Sequence, residues 1–315
     1  MSTHQSAPGT SNAWHEIFYT SGDGLRLHVR HYPASRSTKR PVLCLPGLTR
    51  NCRDFHEMAV ALSQAGRSRR EVFCVDYRGR GLSETDPDWR NYTVLNECND
   101  ILDFITLQGL DKPAIIGTSR GGIIAMVMAV LRPAALGPVV LNDVGPVIER
   151  EGLMRIAGYV GRTPLPADWP EAVDRVKSIN LRHFPGLDET DWQRLTRAIY
   201  DDVGGLPGLA YDPALVKVLA TTNTAEALPE MWPQFQALGH VPVLGLRGEH
   251  SDLLTTRTLE RMASIHPAFE AHTIKGQGHA PLLMDEPTVA IVADFIARHD
   301  GGRTRNQDVP VSAVA

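Results

Sequence analysis

Ala114-Ile115-Ile116-Gly117-Thr118-Ser119-Arg120-Gly121-Gly122 decides how the rest of the chain is read. An apolar run that ends on Gly-x-Ser-x-Gly and passes into the apolar stretch Gly121 to Leu131 predicts a strand, a sharp turn and a helix. Glycines two residues to either side of Ser119 let neighbouring backbone approach without a Cβ clash. The hydroxyl then stands exposed at the carboxyl end of a sheet, where open α/β sheets hold ligands. The unpaired N–H groups of the helix behind it suit a developing oxyanion.

Outward from this turn, the chain alternates strand and helix. Ile17 to Thr20 and Leu25 to Tyr32 flank Gly22-Asp23-Gly24, a hairpin signal. Val42 to Leu45, Val72 to Tyr77, Ala114 to Gly117 and Val139 to Asn142 are near-continuous apolar runs. Asp54 to Ala65 and Thr93 to Leu107 have helical spacing. This pattern predicts a mostly parallel sheet covered by helices on both faces, preceded by two antiparallel strands. It resumes with strands at Val241 to Leu246 and Phe269 to Ile274, and helices at Thr255 to Ile265 and Thr288 to Arg298. The expected organisation is a core over 14–144 and 239–300 with flexible ends at 1–13 and 301–315. Between the core halves, 145–238 reads as a helical lid without strands. Its Trp169, Trp192 and Trp232 are candidates both for packing and for substrate contact.

The chain has 315 residues, 32 basic against 36 acidic, a formal charge of −4, which gives no support for nucleic-acid binding. No apolar run is long enough to span a bilayer and no secretory signal is evident, so the expectation is no membrane partner. Cys44, Cys52, Cys74 and Cys98 form no CxxC or zinc pattern. Read as reduced thiols, they favour a cytoplasmic protein.

A serine hydroxyl needs a base, and the base needs an acid to orient it. Among 12 histidines, His279 stands out in Gly276-Gln277-Gly278-His279-Ala280-Pro281, after the last strand. The acid is expected between serine and histidine. Asp252, in Gly248-Glu249-His250-Ser251-Asp252, is favoured, with Glu249 and Asp143 as competitors and an N-cap as its structural alternative. The oxyanion donors are expected from the backbone N–H groups of Arg120 and Leu48. The Arg120 side chain either pairs with a buried carboxylate or meets an anionic substrate.

Together these residues resemble the α/β-hydrolase superfamily, in its lidded esterase, lactonase and carbon–carbon hydrolase-like branch, from about Ile17 to Arg298. Asp76-Tyr77-Arg78-Gly79-Arg80-Gly81-Leu82-Ser83 is similar to the family's structural turn after its fourth strand. Pro46-Gly47 departs from the His-Gly common in its oxyanion loop, and Ser119 speaks against the aspartate-dependent epoxide and halide members; a perhydrolase side activity stays open. The resemblance implies the α/β-hydrolase fold and ester or lactone hydrolysis through an acyl-enzyme on Ser119, with no metal or organic cofactor. The substrate is expected to be a small to medium, partly apolar molecule, with an arginine-assisted carboxylate contact as a weaker suggestion. Two alternatives are hydrolysis of a carbon–carbon bond in a vinylogous diketone and a non-catalytic ligand receptor. Oligomeric state is not legible.

Overall fold

The computed structural model describes residues 13–161, 164–221 and 228–300. The expected flexible ends lie outside them, apart from Ala13. Eight strands form one sheet in the order β1 (His15–Thr20), β2 (Arg26–Tyr32), β4 (Val72–Asp76), β3 (Val42–Leu45), β5 (Ala114–Thr118), β6 (Val139–Asn142), β9 (Val243–Gly248), β10 (Phe269–Ile274). The β1–β2 and β2–β4 pairs are antiparallel and the others parallel. This is the α/β-hydrolase fold, as the alternation predicts.

The apolar strands have no polar face because both faces are covered. Successive side chains of a strand point to opposite sides. Leu43, Leu45, Phe73, Val75 and Ile115 accordingly enter one core, and Val42, Cys44, Val72, Cys74, Ala114 and Ile116 the other. The first core holds residues of α2 (Val94–Leu107), α3 (Arg120–Leu131), α8 (Trp232–Gln236) and α9 (Thr256–Ile265). The second holds α1 (His56–Gln64) and α10 (Glu286–Arg298). All four cysteines are buried and free. Among the described residues no helix is long and apolar enough to cross a membrane.

The segment after β6 carries α4 (Arg150–Tyr159), α5 (Trp169–Asn180), α6 (Glu189–Ile199) and α7 (Leu215–Thr221) before α8. It also contains an antiparallel hairpin, β7 (Tyr200–Val203) and β8 (Leu206–Leu209), which corrects the expectation of a strand-free insertion. Gly204 and Gly205 between the strands have φ of +62° and +89°, the geometry a two-residue hairpin turn demands. Val176, Phe184, Trp192 and Leu195 give the insertion a small core of its own.

The register of the central strands positions the site. Gly117 of β5 lies opposite Leu45 of β3 and Leu141 of β6, and Thr118 opposite Asn142. The next residues of the two flush strands, Ser119 and Asp143, therefore emerge side by side, with Gly47, two past Leu45, at the same level. Ser119 N–H donates to the Asn142 carbonyl at 3.0 Å, and Asp143 N–H to that of Leu246 at 2.8 Å.

Candidate active site

Ser119 sits at φ +51°, ψ −112°, in a region L-residues avoid. The turn is held by close packing. A Cβ on Gly117 would lie 2.6 Å from backbone atoms of the next helix, and one on Gly121 would lie 2.1 Å from the Leu45 carbonyl oxygen. No side chain fits at either glycine, so the turn has no room to relax.

The Ser119 hydroxyl faces His279, whose Nε2 is 3.0 Å from Oγ. His279 Nδ1 is 2.8 Å from Oδ2 of Asp143, not of Asp252. Asp143 is fully buried and also accepts from the Ser251 hydroxyl at 2.6 Å and from Gly248 N–H at 2.7 Å. Its φ is +58°, a second strained residue beside the serine.

The placement of Asp252 corrects the sequence-based choice of acid. Its carboxylate receives the Arg155 guanidinium of α4, with Nε on Oδ2 at 2.5 Å and Nη2 on Oδ1 at 2.9 Å. Backbone bonds reinforce that direction: Gly152 N–H donates to the Asp252 carbonyl and Glu149 N–H to that of Leu253. The loop after β9 thus turns toward the insertion. Burial pushes the Asp252 carboxyl up, but the neighbouring Arg155 outweighs it and holds it below the usual carboxylate range. Glu249 points elsewhere, accepting from Gly276 N–H.

Three successive carbonyls of the loop after β3 are engaged. The Pro46 carbonyl accepts from the Tyr77 hydroxyl at 3.2 Å, that of Gly47 from Arg50 N–H at 3.2 Å, and that of Leu48 from Arg80 Nε at 2.9 Å. In a trans peptide the N–H lies opposite the carbonyl. Leu48 N–H therefore faces away from the loop, and among the described residues it has no acceptor. Gly47 backs onto the serine, since a Cβ there would lie 3.9 Å from Ser119 Cβ. Arg120 opens α3, so its N–H has no intrahelical acceptor either.

The Arg120 side chain takes the first of its two expected roles. Its Nε is 2.5 Å from Oε2 of the fully buried Glu97, and its Nη2 donates to the Tyr92 carbonyl. It does not line the cavity described below. None of the three tryptophans lines the cavity described below. Trp169 donates to the Gly205 carbonyl under the Arg197 guanidinium, Trp192 is 1 % exposed inside the insertion, and Trp232 packs on Phe235 below the sheet.

Ser119 and His279 instead open into a cavity of about 470 Å³. Leu48, Ile156, Val160, Leu165, Val176 and Ile179 supply apolar wall, while Arg30, Arg50, Arg53, Arg175, Arg194 and Arg197 outnumber the acidic Asp54 and Glu57. Arg50 reaches Asp54 with two nitrogens, Nε at 2.7 Å, and among the described residues its Nη1 has no partner. Arg53 ties the cavity to the insertion by donating to Asp201 and to the carbonyls of Ala198 and Tyr200. Sequence reasoning missed these arginines. Arg50 and Arg53 follow Leu48 closely in sequence, and the rest come from elements whose facing depends on tertiary packing.

His28, Cys52 and Asp76 are the donor types a metal takes, and they are mutually close. Both His28 nitrogens are engaged, Nδ1 with Asp76 at 2.7 Å and Nε2 with Glu16 at 2.5 Å. Asp76 also accepts from the N–H groups of Cys52 and Leu82. Burial pushes the Cys52 thiol up, away from the thiolate a metal needs. These residues form a hydrogen-bonded brace. It fixes the structural turn expected at Asp76 to Ser83, where Arg78 holds Asp100 through two bonds.

Residues 42–294 match the model of the alpha/beta hydrolase family. The chain belongs to this family. It is 33% identical to the 3-hydroxybutyrate-oligomer hydrolase of Cupriavidus necator, over 86% of this chain and 93% of that protein. It is 25% identical to the 2-(acetamidomethylene)succinate hydrolase of Mesorhizobium japonicum, over 81% and 87% of the two chains. The crystal structure of an alpha/beta hydrolase from Novosphingobium aromaticivorans superposes with a TM-score of 0.85 at 36% identity, covering 92% of this chain and all of that one. The family and these relatives mark the protein as a hydrolase.

Proposed function

We propose that this hydrolase is a serine esterase that cleaves short oligoesters of hydroxy acids bearing a free carboxylate. The observation that carries the reading is the chain of contacts from Ser119 Oγ to His279 Nε2 at 3.0 Å and from His279 Nδ1 to Asp143 at 2.8 Å, at the floor of the arginine-rimmed cavity. His279 takes the hydroxyl proton as Ser119 attacks the ester carbonyl. The N–H groups of Leu48 and Arg120 hold the tetrahedral oxyanion. The protonated His279 passes its proton to the leaving alkoxide, then activates water to release the acid from the acyl-serine. Asp143 keeps the proton on Nδ1 and balances the charge of the imidazolium. The insertion over 145–238 acts as a lid that walls off this chemistry from bulk water.

The substrate class rests on the wall of the cavity and on a relative. Apolar side chains accommodate a short acyl chain, and the wall arginines, although each is paired with a carboxylate of the protein, carry five N–H donors apiece and so keep some for an anionic one. The Cupriavidus protein is a hydrolase of 3-hydroxybutyrate oligomers, which are esters ending in a carboxylate.

The test compares dimers and trimers of 3-hydroxybutyrate as free acids and as methyl esters, with a ring-cleavage vinylogous diketone alongside. A charge-assisted contact contributes about 1.5–3 kcal/mol, so the free acids should show at least about tenfold higher kcat/KM. Equal values for acid and methyl ester refute the carboxylate reading. Wild-type turnover by Ser119→Ala refutes the nucleophile, and preferential consumption of the diketone refutes the ester.

A further inference from the structure

Two arginines converge on one carboxylate directly behind the proposed oxyanion hole. Glu97 comes from α2, and its side chain is fully buried, as is that of Arg80. Oε2 of Glu97 lies 2.5 Å from Arg120 Nε, and Oε1 lies 2.9 Å from Arg80 Nη1. Arg80 in turn donates from Nε to the Leu48 carbonyl at 2.9 Å and from Nη1 to the Arg78 carbonyl at 2.6 Å. One carboxylate is thus shared by the residue whose backbone provides one donor and by the residue that grips the peptide beside the other donor.

This cluster is a costly way to fill a core. Buried ion pairs lose much of their attraction to desolvation, and apolar replacements of similar size are often neutral or stabilising. Packing alone does not account for such an arrangement.

We propose that Glu97 is a positioning residue that couples the two oxyanion donors, fixing the Leu48 loop through Arg80 and the first turn of α3 through Arg120. The inference rests on the serine-esterase reading. Arg80 sets the orientation of the Leu48 carbonyl and thereby the torsion of the residue whose N–H must meet the oxyanion. Arg120 locks the start of α3, where the second N–H lies.

The test uses the full chain and Glu97→Gln, which keeps the shape and removes the charge. Arg80→Lys keeps the charge, but its single ammonium cannot serve both Glu97 and Leu48. Arg70→Met, which breaks the remote buried pair with Asp300, controls for loss of buried charge alone. Active sites are titrated with a fluorophosphonate, kcat and KM are measured on 4-nitrophenyl butyrate, and the inhibition constant of an alkyl trifluoromethyl ketone reports oxyanion binding directly. Deleting a whole oxyanion donor costs about 10²–10³ in kcat; misplacing one should cost about tenfold to a hundredfold. The expected result for Glu97→Gln and Arg80→Lys is that loss in kcat per titrated site, KM within twofold, and a parallel weakening of the inhibitor. Arg70→Met should lower the melting temperature with kcat unchanged. A merely structural role lowers stability in all three variants and leaves kcat and inhibition per site within twofold of wild type, which overturns the proposal. Arg80→Lys decides if Glu97→Gln does not fold. Failure of the underlying reading is distinct, because Ser119→Ala would then stay active.

Discussion

Asparagine at position 143 and asparagine at position 252 should have opposite consequences, although both aspartates lie between the serine and the histidine in sequence. At 143 the geometry dictates the orientation of the new amide. Gly248 N–H points at Oδ1 from 2.7 Å and needs an acceptor. The amide oxygen therefore takes that position, and the amide nitrogen faces Ser251 and His279. Ser251 adapts by rotating its hydroxyl. His279 must then present a bare Nδ1 to the amide and carry its proton on Nε2, toward Ser119. The lone pair that would accept the hydroxyl proton is gone, and so is the negative charge that balances the imidazolium. A wrong-tautomer change of this kind costs about 10⁴ in kcat, about 5.4 kcal/mol at 1.36 kcal/mol per decade. At 252 the substitution neutralises the partner of a largely buried Arg155 and removes no hydrogen bond from His279, so the loss should fall mainly on stability, with kcat within about threefold. Any kinetic change there should fall on KM through the start of the insertion. The assay is initial-rate hydrolysis of 4-nitrophenyl butyrate over a full substrate range, with blank subtraction and micromolar enzyme for Asp143→Asn. Asp143→Asn within tenfold of wild type, or Asp252→Asn reduced more than a hundredfold, would refute the assignment of the acid.

Two further outcomes follow from strain and from charge. Ser119→Gly relieves the φ of +51° that Ser119→Ala retains, so it should be more stable than the alanine variant by about 1 kcal/mol with both inactive; differential scanning calorimetry checks this, and equal melting temperatures count against strain at the turn. Burial alone would push His28 down, but its bonds to Asp76 and Glu16 outweigh that and raise it above the ordinary histidine value. A raised folded value gives stability that is complete below the unfolded value and fades as pH climbs through the folded one. The gap in melting temperature between wild type and His28→Gln should therefore be larger at pH 6 than at pH 9, and a gap that grows with pH would contradict a charged His28.

The order of elements was legible because each strand at the sheet centre is buried on both faces and reads as an unbroken apolar run. Val139–Asn142 has the bounds that the apolar pattern gives it, and the mostly exposed edge strand Phe269–Ile274 also has its expected bounds. The hairpin of the insertion was not legible, since Asp201, Asp202 and Val203 are partly or wholly exposed and carry no alternation. Its Gly-Gly turn was the signal available, obscured by the proline and glycine scattered around it. The tryptophans misled for a related reason. A large aromatic marks a place where much surface is buried, and here Trp192 is buried in the insertion's own core and Trp232 packs on the main core, neither at the cavity wall.

The acid was misread because its position depends on register, which sequence order does not carry. Asp143 follows β6 immediately, and Asp252 follows β9 at four residues' remove. A chain-order rule prefers the later residue. A rule built on the sheet prefers the earlier one: β6 is hydrogen-bonded to the strand that bears the serine, and their ends are flush at Thr118 and Asn142. Once the parallel sheet is inferred from the apolar runs, the residue one step beyond each flush strand end is the natural place to look for partners. Ser119 and Asp143 occupy that step, and Gly47, two residues past the shorter β3, lies level with them. The same reasoning links Arg80 and Glu97 to the site, since neither reaches the cavity and both act on it only through backbone that starts at those strand ends.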